Sequence, residues 1–249
     1  MSGDMTLEIC VDALAGLDAA IMAGADRVEL CSALALGGLT PSAGLMNAAA
    51  LVNLPVRAMI RPRQGDFVYS AGEVELMCYD IDCARQHRLE GVVIGANLPS
   101  GDLDERALSR LVSVAKTAGL SVTLHRAFDL VTAPLEALAF AQALGIDAVL
   151  TSGGAVTAAK GVANIKALVQ AANGRVEILA GSGISAANVA ELVHKSGVRA
   201  IHASCGAASP VAPGKPVELG FIRPSQRLTD PDAVRALRHN INLIQRATA

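Results

Sequence analysis

Tryptophan is missing from this sequence, and aromatic residues make up only 2% of it, as two Tyr and four Phe. That scarcity leaves little with which to stack nucleobases. The near-balance of 21 Lys and Arg against 23 Asp and Glu also leaves no basic stripe for a phosphate backbone. Nucleic acid is therefore not an expected partner. A long apolar run is lacking too: residues 130–150, the most apolar stretch, are broken by Pro134, Glu136, Gln142, Gly145 and Asp147, so no membrane span is expected. Residues 1–10 carry Asp4 and Glu8 and have neither a cationic start nor an apolar core, which argues against a secretory signal. The five cysteines (Cys10, Cys31, Cys78, Cys83, Cys205) are odd in number and irregularly spaced. A disulfide framework is improbable on that spacing, and reduced thiols in a cytoplasm are expected.

What the sequence has in quantity is Ala, Val, Leu and Ile. A hydrophobic fraction of 52% points to many residues buried on both faces of a parallel sheet. Short β-branched runs at 6–11, 27–32, 56–62, 91–96, 121–128, 147–152, 176–181 and 200–205 alternate with helix-length amphipathic segments. Those segments are 14–23, 42–53, 73–88, 103–118, 134–144, 157–172, 185–196 and, at the end, 231–245. Gly24, Gly145 and Gly197 each open a junction of the form Gly-x-x-x-apolar at the end of a helix, a weak internal repeat of one βα unit. Eight such units in 249 residues, close to the roughly 250 typical of the fold, predict a single α/β domain over 1–249, a (β/α)₈ TIM barrel of parallel strands ringed by helices. The dinucleotide fingerprint of the competing doubly wound sheet, Gly-x-Gly-x-x-Gly after the first strand, is absent.

In a barrel, reactive groups sit where strands end. Nearly every predicted strand ends in polar residues: Glu8 and Cys10, Glu29 and Cys31, Arg61, His125 with Asp129, Thr151 and Ser152, and His202 with Ser204. Alternation puts Glu8 and Cys10 on one face, and likewise Glu29 and Cys31. A buried carboxylate needs a cation or a metal, and Arg61 and His125 are the expected partners. The plain reading is a structural ion-pair network. The sharper one is an active site in which Glu8, Glu29, Arg61 and His125, with His202 and Asp129, carry general acid-base chemistry and bind an anionic or carbonyl oxygen. Cys10 and Cys31 end neighbouring strands about 5 Å apart and could hold one soft ion such as Cu(I), or they are small apolar fillers. Gly181, Ser182, Gly183 and Ser204 fall where many barrels bind phosphate on backbone amides, although the glycines could merely serve a turn. The segment 61–70 reads as a lid over the mouth held by Asp66 to an Arg, and 206–230, rich in Pro and Gly, as a second cover.

Six motifs in order, Leu7-Glu-Ile-Cys10, Gly24-Ala-Asp-Arg-Val-Glu-Leu-Cys31, Gly37-Gly-Leu-Thr-Pro-Ser42, Ile60-Arg-Pro-Arg-Gln-Gly-Asp-Phe-Val-Tyr-Ser70, His125-Arg-Ala-Phe-Asp129 and Leu150-Thr-Ser-Gly-Gly154, resemble the CutC family, which is linked to copper homeostasis. The resemblance runs from Leu7 to about Gly206. It implies a cytoplasmic, homo-oligomeric barrel associated with copper tolerance, in which Cys10 and Cys31 match the cysteines proposed as Cu(I) ligands in animal relatives. Two departures stand out. Val211-Ala-Pro-Gly-Lys-Pro216 is short and lacks the Arg-Asn and aromatic character common there, and Gln64 replaces a frequent Gly. The leading expectation is a copper-binding homeostasis protein. The alternative is a barrel lyase or isomerase acting on a small hydroxylated or phosphorylated carbonyl compound, for which the sequence names no reaction.

Overall fold

The computed structural model describes residues 5–248. Residues 1–4, on which part of the reading against a secretory signal rests, and Ala249 lie outside the described residues. Eight parallel strands, β1 (Thr6–Val11), β2 (Arg27–Leu30), β3 (Val56–Met59), β4 (Gly91–Ile94), β5 (Ser121–Leu124), β6 (Ala148–Thr151), β7 (Glu177–Ala180) and β8 (Ala200–Ala203), pair in sequence order. β8 returns to β1, with Glu8 opposite His202, and the barrel closes. The outer ring is built from α1 (Leu14–Met22), α2 (Ala43–Ala49), α3 (Ala71–Gln86), α4 (Glu105–Thr117), α5 (Pro134–Leu144), α6 (Val162–Ala172) and α7 (Val189–Ser196). A hairpin of β9 (Gly206–Pro210) and β10 (Ser225–Thr229) encloses the short α8 (Lys215–Glu218), and α9 (Pro231–Thr248) completes the ring. No helix among the described residues is long and apolar enough to cross a membrane.

The apolar faces of strands and helices merge into one large cluster outside the barrel wall. The inward faces behave differently. They form two small apolar islands, Cys31, Met59 and Val93 on one side and Leu150, Leu179 and Ala200 on the other. The rest of the interior is polar, which is why so many charged residues are buried in so apolar a chain.

Several elements differ from their sequence reading, each for a local reason. β5 stops at Leu124 because the His125 side chain caps a 3₁₀ turn, Arg126–Leu130, by accepting from the Ala127 N–H. α6 begins at Val162 rather than near 157 because the backbones of Gly153 and Gly161 pack face to face. A Cβ on Gly153 would lie 2.3 Å from the Gly161 carbonyl oxygen. α7 begins at Val189 rather than 185, after a turn in which Asn188 Oδ1 accepts from the Ser185 N–H. α3 starts two residues early, at a Ser70–Glu73 capping box. The 206–230 connection is an antiparallel hairpin, and its base lies against α1, where a Cβ on Gly16 would come within 3.0 Å of Thr229 Oγ1.

Gly95 is fixed by packing rather than by backbone freedom, since a Cβ there would sit 2.3 Å from His125 Cε1 and 2.8 Å from Ala127 Cβ. We expect Gly95→Ala to destabilise the fold by about 1–3 kcal/mol, whereas Gly72→Ala, in open space near the start of α3, stabilises by up to about 1 kcal/mol. Urea titration of both variants measures the contrast.

Candidate functional site

The polar interior is organised around Glu8. Its neighbours across the ladder are Arg27 on β2 and His202 on β8, and all three side chains are buried. Arg27 Nε donates to Glu8 Oε2 at 2.5 Å, and His202 Nδ1 lies 2.7 Å from Glu8 Oε1. Burial opposes the charge on Glu8, but the His202 hydrogen bond and the Arg27 guanidinium outweigh it and hold the carboxyl at about 2. Arg27 then reaches across the barrel to Glu177 at 2.7 Å. Nearby, Arg57 joins Glu90 at 2.7 Å and Thr123 Oγ1 at 2.7 Å. These pairs lie at the amino-terminal ends of the strands and form an ionic floor.

One step further towards the carboxyl ends, Cys10 stands opposite Glu29. Cys10 Sγ, a Glu29 carboxylate oxygen and a His202 ring nitrogen all lie within 4.8 Å of one another, and all three residues are buried. Because Nδ1 faces Glu8, Nε2 is the nitrogen turned towards Glu29, at 3.8 Å from Oε2. Burial lowers the basicity of His202, but the Glu29 charge, the Cys10 thiol and the Glu8 bond reverse this and raise its pKa well above the ordinary value. Burial raises Glu29, with the Glu8 charge adding to it and His202 opposing. Glu29 Oε1 has no hydrogen-bond partner, a state that costs about 1–3 kcal/mol for a buried group. A thiol, an imidazole oriented by a carboxylate, and an unsatisfied carboxylate oxygen form a donor set suited to a metal ion, with Glu8 as the outer residue that fixes the imidazole.

The predicted residues thus divide. Glu8, Glu29, Cys10 and His202 come together. Cys31 stands beside them, its thiol donating to Glu29 Oε2 at 3.5 Å, and burial followed by the Glu29 charge raises its pKa well above the usual thiol range. Arg61 and His125, expected to neutralise the glutamates, bond elsewhere. Arg61 donates to the carbonyls of Leu36, Gly38 and Gly65 and stacks 5.0 Å over Phe67, whose ring lies 4.7 Å from that of His125. The expected ion pairing is therefore corrected: Arg27 and His202 do it, because they are register neighbours of Glu8 whereas Arg61 stands higher on β3. Arg27 was missed, although it lies two residues before Glu29 and so shares its face. Asp129 is fully occupied by Thr151, Ser152, the Gly154 N–H and Arg126. Asp66 is held to Arg63 at 3.1 Å. At the suggested phosphate position Gly181 is buried, Ser182 Oγ donates to the Val156 carbonyl at 2.8 Å, Gly183 has a left-handed backbone, and Ser204 is exposed.

Fold and site together define a (β/α)₈ barrel with a buried thiol, carboxylate and imidazole group at its carboxyl mouth. A family model described as the CutC family matches residues 5–207, and the chain belongs to that family. A CutC family protein from Sinorhizobium medicae is 50% identical over 93% of this chain and 94% of its own length. One from Caulobacter vibrioides is 50% identical over 93% and 96%. Among solved structures, a candidate copper homeostasis protein CutC from Streptococcus agalactiae superposes with a TM-score of 0.76 at 32% identity, covering 80% of this chain and 98% of that one. A KDPGal structure, at a TM-score of 0.60 and 15% identity, shares the fold alone.

The depressed Glu8 carboxyl gives a pH dependence with a definite sign. Its contribution to stability is present above the ordinary value of 4.5 and is lost as pH falls towards 2. Glu8→Gln should cost about 3 kcal/mol at neutral pH and flatten that acid limb, as read from urea midpoints across pH.

Proposed function

We propose that this chain is a copper homeostasis protein that binds Cu(I) as cargo at the carboxyl mouth of the barrel, in the reducing cytoplasm. The observation carrying the reading is the buried group of Cys10, Glu29 and His202, with ligand atoms within 4.8 Å. Cu(I) is soft, so the Cys10 thiolate and His202 Nε2 are its ligands, and the harder Glu29 oxygen stays a neighbouring group. Charge also balances: one Cu(I), one thiolate and a neutral imidazole sum to zero. The copper role attached to the Streptococcus agalactiae relative supports the choice of metal, and the five free thiols support a reducing compartment. Cys31, whose proton is held by burial and by Glu29, serves as a reserve ligand rather than an equal one.

Equilibrium competition against a chromogenic Cu(I) chelator tests this. Cys10→Ala is expected to weaken binding by about 100-fold or more, and Glu8→Gln, which frees the imidazole to turn, by about 10–100-fold. Cys31→Ala should have the smallest effect. Metal ligands must be deprotonated to bind, so affinity rises with pH. Unchanged affinity in Cys10→Ala would end the proposal.

A second reading, a barrel enzyme acting on a small carbonyl compound, draws on one observation. Glu29 Oε2 lies 3.8 Å from His202 Nε2 with both residues buried, and a carboxylic acid beside an imidazole is a pairing used in general acid-base chemistry.

A further inference from the structure

Five buried side-chain polar atoms lack a hydrogen-bond partner among the described residues. One is Glu29 Oε1; the other four are Arg61 Nε, Tyr69 Oη, Asn97 Oδ1 and His125 Nε2. Three of these residues, Arg61, Asn97 and His125, meet Phe67 in the segment between β3 and α3, and Tyr69 lies two residues further along that segment. Phe67 stacks on both Arg61 and His125, and its carbonyl accepts from the Asn97 N–H. Arg61, Tyr69 and His125 are 6%, 9% and 3% exposed, so bulk solvent does not reach these atoms.

The chemistry of the three side chains agrees. The terminal nitrogens of Arg61 are committed to loop carbonyls, which leaves its Nε–H free. His125 Nδ1 accepts from the Ala127 N–H at 3.0 Å, so the proton of the neutral ring sits on Nε2. The ring is neutral because burial, and then the Arg61 charge, hold its pKa at about 3. Tyr69 contributes an O–H. Tyr69 lies within reach of the Arg61 guanidinium, the Tyr69 O–H and His125 Nε2–H have no acceptor, and no carboxylate bonds to any of the three among the described residues. A core built for stability does not leave buried donors grouped around a guanidinium without an acceptor.

We infer that Arg61, Tyr69 and His125 form a closed site for the oxyanion group, carboxylate or phosphate, of a small-molecule ligand, which enters when the 61–70 segment opens. Phe67 supplies the apolar wall, and Arg63, pinned to Asp66 and Glu73 and stacked 5.2 Å over Tyr69, anchors the outer end of that segment. No cysteine contributes, so the outcome is independent of the Cu(I) result.

The test uses the whole, metal-free chain with inorganic phosphate and malonate as probes, following the His125 Nε2 resonance in histidine-labelled protein and the heat of binding by calorimetry. A saturable shift with either probe is expected, and which probe acts separates a phosphate ligand from a carboxylate one. Tyr69→Phe keeps the ring and removes one donor. It should weaken binding about tenfold while raising the melting temperature of the ligand-free protein, because a buried unpaired hydroxyl is gone. His125→Asn retains an acceptor for the Ala127 N–H, deletes Nε2, and should weaken binding to a similar degree by calorimetry. Absence of a saturable shift with both probes at tens of millimolar overturns the inference. So does a Tyr69→Phe protein that melts lower than the parent and binds the probes equally well.

Discussion

The thiol, imidazole and guanidinium nearest the closure of this barrel are arranged around one carboxylate, Glu8, that has no access to water. Taking Glu8 out of solvent costs several kcal/mol on its own, and the fold recovers this by placing a guanidinium on one neighbouring strand and an imidazole on the other. That arrangement is available only because β8 closes on β1, which brings residue 202 beside residue 8 across 194 positions of chain. Having satisfied Glu8, the imidazole has a fixed orientation, and its second nitrogen is delivered to Cys10 and Glu29. The group that stabilises the interior is therefore the same group that prepares the mouth.

The polar interior also explains the split between the two parts of the mouth. Glu8, Cys10, Glu29 and His202 hang from β1, β2 and β8, three adjacent strands. Arg61 and His125 come from just beyond β3 and β5 and meet around Phe67, an aromatic supplied by a loop. One side presents a thiol and carboxylates, the other presents donors around a cation. Each side is built from its own strands.

The architecture was legible because the alternation of short apolar runs and amphipathic segments survives in every unit, and because glycine marks most junctions. Boundaries were less so. The end of β5 is decided by where the His125 ring bonds, and the start of α6 by the contact of two glycine backbones eight residues apart, neither of which leaves a periodic trace. The site was half legible. Parity placed Glu8 with Cys10, and Glu29 with Cys31, on shared faces, but it could not say which cation meets which carboxylate. That depends on the shear of the closed barrel, which sets the height of each residue, and Arg61 stands above the glutamates while Arg27 stands level with Glu8. A parity reading carried to the beginning of β2 would have found Arg27.

The ionic floor has a further meaning for traffic. Arg27 and Glu177 link β2 to β7 across the interior, and Arg57 ties β3 to Thr123 on β5 and to Glu90. With that end stoppered by paired charges, the barrel is a cup rather than a pipe. A ligand held at the thiol, as proposed, would leave by the end through which it came, so delivery and release would share a single doorway and could not proceed at the same moment.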